Sequence, residues 1–168
     1  MRDAERLVEQ QYAMLLRRDV ARLPDLYAPE AFYAMPGVTV RPIELPALLR
    51  TWTGAFGDLR VDPMGSVRTG GGAAVELRLT GTHTGTLHSP YGTVAPTGRV
   101  VSWEVADVVR ARKGRITAWR SYFDWSQLLD ALGVQLGGLS RAAQHDALGV
   151  QLGGLSRAAQ HDALALPV

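Results

Sequence analysis

A chain of 168 residues, 46% hydrophobic and 20% charged, suits one domain with an apolar core and is too apolar to be disordered. Its formal net charge is only +2 and its basic residues are scattered, which argues against nucleic acid as a partner, and the absence of cysteine excludes disulfides and thiolate chemistry. No apolar run approaches the roughly 20 residues of a membrane span, and the charged, helical start MRDAERLVEQ does not read as a signal peptide, so a cytoplasmic protein with no membrane partner is expected.

Residues 3–18 predict an amphipathic helix, with Ala4, Leu7, Val8, Gln11, Tyr12 and Leu15 near one face. A short helix over about 20–27 is interrupted near Pro24 and ended by Pro29. AFYAMPG (31–37) suggests a short strand and turn. Pro42 to Phe56 predicts a second amphipathic helix, with Leu45, Leu48, Leu49, Trp52 and Phe56 as its stripe. From there the pattern changes to period two. Strands are expected at 59–67, 73–83, 98–110 and 116–123, with turns at TGGG (69–72) and ARKGR (111–115) and a loop over 84–97. Helices followed by a run of antiparallel strands define an α+β class: a curved antiparallel sheet closed by N-terminal helices into a cone-shaped barrel with a pocket inside.

The segment DALGVQLGGLSRAAQH occupies 130–145 and recurs unchanged at 146–161. A period of sixteen residues is too short for a solenoid. In one continuous helix it would turn the apolar side by roughly 160° from copy to copy, so the two copies cannot both dock the same way. The first is expected to pack on the domain and the second to be a loose tail or a surface for another subunit. The expected division is a domain of residues 1–137 and a tail of 138–168.

The segments LTGTHTG (79–85), PTGR (96–99), GRITAWRSYFD (114–124) and ALGVQLG (131–137) together resemble the SnoaL-like polyketide cyclases of the nuclear transport factor two-like superfamily. RITAWRSYFD is also similar to the last strand of limonene epoxide hydrolase, a relative in that superfamily. The resemblance implies a cofactor-independent enzyme acting on a small, mostly apolar organic molecule. It also implies a homo-oligomer, expected as a dimer paired through the convex sheet face. The fold hosts many chemistries, so function has to be argued from the site.

Strand alternation places Thr117, Trp119, Ser121 and Phe123 on one face and Ile116, Ala118, Arg120 and Tyr122 on the other. In the relatives the position of Ser121 carries an aspartate, the acid/base of the aldol cyclases and part of the epoxide hydrolase triad. A hydroxyl without a partner base does not replace it. By the same resemblance, Arg78 and Thr80 match an arginine and an aspartate on the pocket face of the hydrolase. Arg78 is thus a candidate for neutralising a substrate carboxylate or enolate, or for a structural ion pair with Glu76 or Asp107. Asp107 shares a face with Trp103 and Val105, and in the cyclases its position carries a helper histidine. A carboxylate on an apolar wall has a raised pKa unless it is paired, so Asp107 is either the general acid or base or an ion-pair partner of Arg78. Tyr33 matches a pocket tyrosine of the hydrolase. Tyr12, Trp52, Phe56, Trp103 and Trp119, with Tyr33, fall on faces that can meet in the cone and bind an apolar substrate by shape. Asp124 reads as a helix cap, His83 as a structural histidine and His88 as a rim residue. No His/Asp/Glu cluster has metal-ligand spacing, and no cofactor is expected.

Two catalytic readings follow. In one, Asp107 moves a proton with Tyr33, Ser121 or Arg78 in an aldol or Michael-type ring closure. In the other, the pocket folds a flexible polyene and the closure is pericyclic, through preorganisation alone; the missing aspartate favours this second route. An epoxide hydrolase or isomerase, and a non-catalytic binding module, are the alternatives.

Overall fold

The computed structural model describes residues 3–134. The second repeat copy, most of the first copy and the expected boundary at 137 lie outside the described residues. Helix α1 (Asp3–Leu16) buries Ala4, Leu7, Val8, Gln11 and Leu15, the stripe its sequence lays out at helical spacing. A 3₁₀ turn, Val20–Leu26, follows with Pro24 inside it. Strand β1 (Tyr27–Met35) starts earlier than the sequence suggests and runs through Pro29. The proline therefore does not merely end the preceding helix. It lies in an irregular stretch between the Tyr27 and Phe32 pairings, where a missing N–H costs no ladder bond. A short strand, β2 (Val38–Val40), pairs back on β1 and was not anticipated.

Helix α2 (Leu45–Ala55) is preceded by a 3₁₀ turn at Pro42–Glu44 and has a proline in its own first turn, where no backbone N–H is needed. Then come the long strands β3 (Arg60–Thr69), β4 (Gly72–Thr82), β7 (Val100–Arg112) and β8 (Arg115–Tyr122). Between β4 and β7, where a loop was expected, the chain forms a small hairpin of β5 (Leu87–Ser89) and β6 (Gly92–Val94). Helix α3 (Trp125–Ala131) closes the described chain.

The main sheet runs β2-β1-β8-β7-β4-β3. All its pairs are antiparallel except β1 with β8, which is parallel. The β7–β8 turn is Lys113–Gly114 with φ of 51° and 75°. Two consecutive positive φ values are the geometry that matches strand twist in a two-residue hairpin. The sheet is strongly curved but unclosed, and its buried face carries Ala73, Val75, Leu77 and Leu79 from β4 and Val101, Trp103, Val105 and Val109 from β7. Alternation fails in the first half of β8: Ile116 and Ala118 are both buried although the two-residue repeat puts them on the outer face, beside the β7–β8 register shift between Arg110 and Ala111.

Seven residues make α3 too short to be stable by propensity. Burial holds it: Leu128, Leu129 and Leu132 are fully or nearly fully enclosed, at about 1.5–3 kcal/mol for each leucine. The Trp125 indole N–H donates to Pro36 O at 3.0 Å and fastens the helix to the β1–β2 turn. Gly85 is required for a different contact: a Cβ there would lie 2.0 Å from Gly54 O, so only glycine lets the segment leading to the β5–β6 hairpin rest on the end of α2.

Candidate active site

Asp107 is fully buried on the concave face of β7, and Ser121 stands directly across the ladder on β8. Ser121 Oγ donates to Asp107 Oδ1 at 2.5 Å. The Trp119 indole N–H is shared between Asp107 Oδ1 and Ser121 Oγ, each at 3.1 Å. Tyr12 reaches down from α1 and donates to Asp107 Oδ2 at 2.7 Å. Tyr33, on β1 opposite Trp119, lies 3.1 Å from Ser121 Oγ. Since Ser121 spends its proton on Asp107, Tyr33 is the donor in that pair. Three donors, Tyr12 from α1 and Trp119 and Ser121 from β8, thus converge on one carboxylate, and Tyr33 from β1 joins the set through Ser121.

Burial pushes the Asp107 carboxyl up to about 6, while Ser121, Tyr12 and Trp119 hold it back from going higher. Burial, followed by the charge of Asp107, pushes the phenols of Tyr12 and Tyr33 well above the ordinary tyrosine value, so both remain protonated donors. Near neutral pH the set is therefore one carboxylate facing three hydrogen-bond donors.

A cavity of about 40 Å³ adjoins this set and is lined by Tyr12, Tyr33, Ser121, Trp52, Trp103 and Phe123 among others. Tyr12, Tyr33 and Ser121 belong to its lining, whereas Asp107, to which Tyr12 and Ser121 donate, does not. On the far side the aromatics stack: Trp52 lies 6.0 Å from Trp103 and 5.4 Å from Trp125, and Phe56 lies 5.0 Å from Trp103. Phe56 is buried behind this stack, against His83, and does not line the cavity. Trp119 likewise sits within the wall, as a donor to Asp107.

Two expected pocket residues are elsewhere. Arg78 projects from the outer face of β4, half exposed, and pairs with Glu104 at 2.9 Å, not with Glu76 or Asp107. Thr80 lies on the same outer face and bonds Ser102 Oγ at 3.0 Å. Both occupy even positions of a strand whose odd positions are buried. Asp124 caps α3 by accepting from the Ser126 N–H at 2.8 Å. His83 is fully buried; its Nδ1 accepts from the Thr97 N–H, burial lowers its pKa, and its Nε2 has no hydrogen-bond partner.

Sequence reasoning missed Gln11, which lines the cavity and accepts from the Tyr27 hydroxyl at 2.5 Å. Its signal was present, as an amide on the buried stripe of an amphipathic helix. A second cavity, of about 530 Å³, opens between α2, the β5–β6 hairpin and Trp125. It was not anticipated beyond the placing of His88 at a rim. Among the described residues no three His, Asp or Glu side chains converge as metal ligands, and no helix is long and apolar enough to cross a membrane.

A curved sheet closed by helices over an apolar cavity, with a buried carboxylate in its wall, defines a cone of the nuclear transport factor two and ketosteroid isomerase type. Solved structures bear this out at the level of fold. IdmH from Streptomyces antibioticus, described as a candidate polyketide cyclase, is 24% identical over 77% of this chain and 98% of its own, with a TM-score of 0.65. AclR from Streptomyces galilaeus, described as a candidate hydroxylase, is 22% identical over 77% and 94%, also at 0.65. An epoxide hydrolase of the limonene type from M. tuberculosis is 22% identical over 76% and 86%, at 0.56. A comparison with curated protein sequences gave no significant match. The sequence profile of the SnoaL-like polyketide cyclase family matches residues 5–132, and the chain belongs to that family.

Proposed function

We propose that the chain closes a ring in a polyketide-type substrate by acid–base catalysis, with Asp107 as the proton acceptor acting through Ser121. The observation that carries this reading is the position of Ser121, between the Asp107 carboxylate and the cavity. The hydroxyl lacks basicity of its own, and the carboxylate behind it supplies that. In an aldol closure the proton on the carbon beside a carbonyl passes to Ser121 Oγ as the Ser121 proton passes to Asp107. Tyr33, kept protonated, turns its O–H from Ser121 Oγ to the enolate oxygen as charge develops there, while Tyr12 keeps donating to Asp107. The enolate carbon then attacks a second carbonyl, and the new alkoxide takes the proton back. No atom is lost and nothing is oxidised or reduced, so no cofactor is needed.

The aromatic wall in which Trp52 stacks on Trp103 and meets Phe123 edge-on supports the second reading, in which the cavity folds a polyene and no residue moves a proton. Epoxide hydrolysis is disfavoured by the outward position of Arg78, which leaves that chemistry without its arginine. Deleting the gene and comparing metabolites tests the cyclase reading: an uncyclised precursor should accumulate and disappear again on complementation. Complementation by Asp107→Asn as well as by the wild type would select the templating route, and an unchanged metabolite profile would leave a binding module. For the assembly we propose a cytoplasmic homodimer paired through the outer sheet face, where Val108 and Tyr122 are exposed. A monomeric mass by light scattering would refute that pairing.

A further inference from the structure

The inner cavity, at about 40 Å³, holds little more than one water molecule. A drug-sized ligand needs several hundred cubic ångströms. The outer pocket, at about 530 Å³, has that space, and the two cavities share the side chains of Met35 and Trp52 as a common wall. A third pocket of about 530 Å³ meets the inner cavity at Tyr12, but Glu5 and Glu9 line it and make it a poor seat for an anion. A molecule whose reacting end meets Ser121 and whose bulk sits in the outer pocket passes the Met35–Trp52 wall and leaves most of its length outside it.

The chemistry of the outer pocket is one-sided. Arg50, on the exposed side of α2, is the only formally charged residue in its lining, and no carboxylate lines it. Among the described residues Arg50 makes no ion pair, unlike Arg22, Arg41, Arg68 and Arg78. His88 stands on the hairpin side of the same pocket. The remaining surface is largely apolar, with Leu48 and Trp125 prominent. A guanidinium without a partner at the mouth of an apolar pocket is suited to a carboxylate or enolate, which it can meet with two parallel hydrogen bonds.

Building on the cyclase reading, we propose that the outer pocket is a second substrate subsite: it seats the distal, anionic end of an elongated apolar substrate on Arg50, while the apolar body passes between Met35 and Trp52 toward Ser121. The substrate class is thereby narrowed to a long, mostly apolar molecule bearing a carboxylate or ionised enol far from the ring-closing carbons. The role sought for Arg78 on the strand falls to an arginine on the helix.

The test uses two fluorescent probes that share an aromatic frame, 8-anilinonaphthalene-1-sulfonate, which is anionic, and N-phenyl-1-naphthylamine, which is neutral. Both are titrated into the full chain. The substitution Arg50→Gln, at an exposed position, should weaken the anionic probe about tenfold and change the neutral one by less than about twofold. Ala47→Trp, which fills the outer pocket, should weaken both. The proposal is overturned if Arg50→Gln affects the two probes equally or not at all, if Ala47→Trp leaves both unchanged, or if the wild type binds neither. The readout is binding alone, so it can fail while complementation succeeds, and the cyclase reading can fail while the probes behave as expected.

Discussion

Ser121 Oγ and Asp107 Oδ1 lie 2.5 Å apart across the β7–β8 ladder, and every other donor in the site is aimed at one of these two residues. A site poor in strong bases by sequence thus becomes a single buried carboxylate bonded by two hydroxyls and an indole N–H, with the Tyr33 hydroxyl one bond further on. Asp107→Asn keeps the shape and removes the basicity. Under the proton-transfer reading, turnover should fall by about two to four orders of magnitude. Turnover within a few-fold of wild type would transfer the chemistry to shape alone.

The raised pKa of Asp107 also sets two pH dependences. Activity should fall on the acid side with an apparent pKa near 6, because the base is lost there by protonation. Stability should move the other way. The folded state holds the Asp107 proton up to about pH 6, whereas the unfolded chain releases it near 3.8. Stability from this group is therefore fully present below pH 3.8 and is lost as pH rises to about 6, a change of roughly 3 kcal/mol. Denaturant titrations of wild type and Asp107→Asn across that range should diverge by this amount, with the variant gaining relative stability as the pH rises.

Restoring the aspartate that the relatives carry, by Ser121→Asp, would place two carboxylates across one ladder rung. Like charges at that distance cannot both ionise freely, so the pair should share a proton and titrate with one apparent pKa well above 6. Carboxyl carbon NMR chemical shifts across a pH series would show it. Two ordinary carboxylate titrations would mean that the side chains turn away from each other.

Arg78→Ala should leave turnover unchanged and cost less than about 1 kcal/mol of stability, since the pair with Glu104 is exposed. A loss of activity above tenfold would show that the outer sheet face takes part in the reaction.

Trp103→Ala should destabilise the fold by about 3–5 kcal/mol, since the indole is buried between Trp52 and Phe56. Trp103→Phe keeps part of the stack. It should fold and should alter product yield more than Arg78→Ala does, as read by thermal melts and product analysis of the two variants.

Much of this site was legible along the chain. Odd-numbered apolar residues from Ala73 to Leu79 already turn Arg78 and Thr80 outward, and only a position carried over from relatives suggested otherwise. Trp103, Val105 and Asp107 alternate in the same way and do face inward. The Lys113–Gly114 turn sets the first β7–β8 pairs, Arg112 with Arg115 and Ala111 with Ile116, but that register continued unchanged would put Asp107 opposite Arg120, and only the shift beyond Ala111 brings Ser121 across from it. The shift between Arg110 and Ala111 and the three-residue strands of the β5–β6 hairpin were not legible, because neither spans enough residues to show a period.

That Asp107 shares a face with Trp103 and Val105, and Ser121 a face with Trp119, is a local property, decided by the two-residue repeat of each strand. The sequence by itself determined this, together with the α+β class. What Asp107 and Ser121 do there was decided only by the tertiary structure. Tyr12 is 95 residues from Asp107 and meets it because α1 docks across the sheet. Tyr33 reaches Ser121 through a parallel pairing that no turn specifies. The small size of the inner cavity and the shared wall of Met35 and Trp52 depend on how α2 and the hairpin close over that face. These are long-range packing outcomes, and periodicity along a chain carries no information about them.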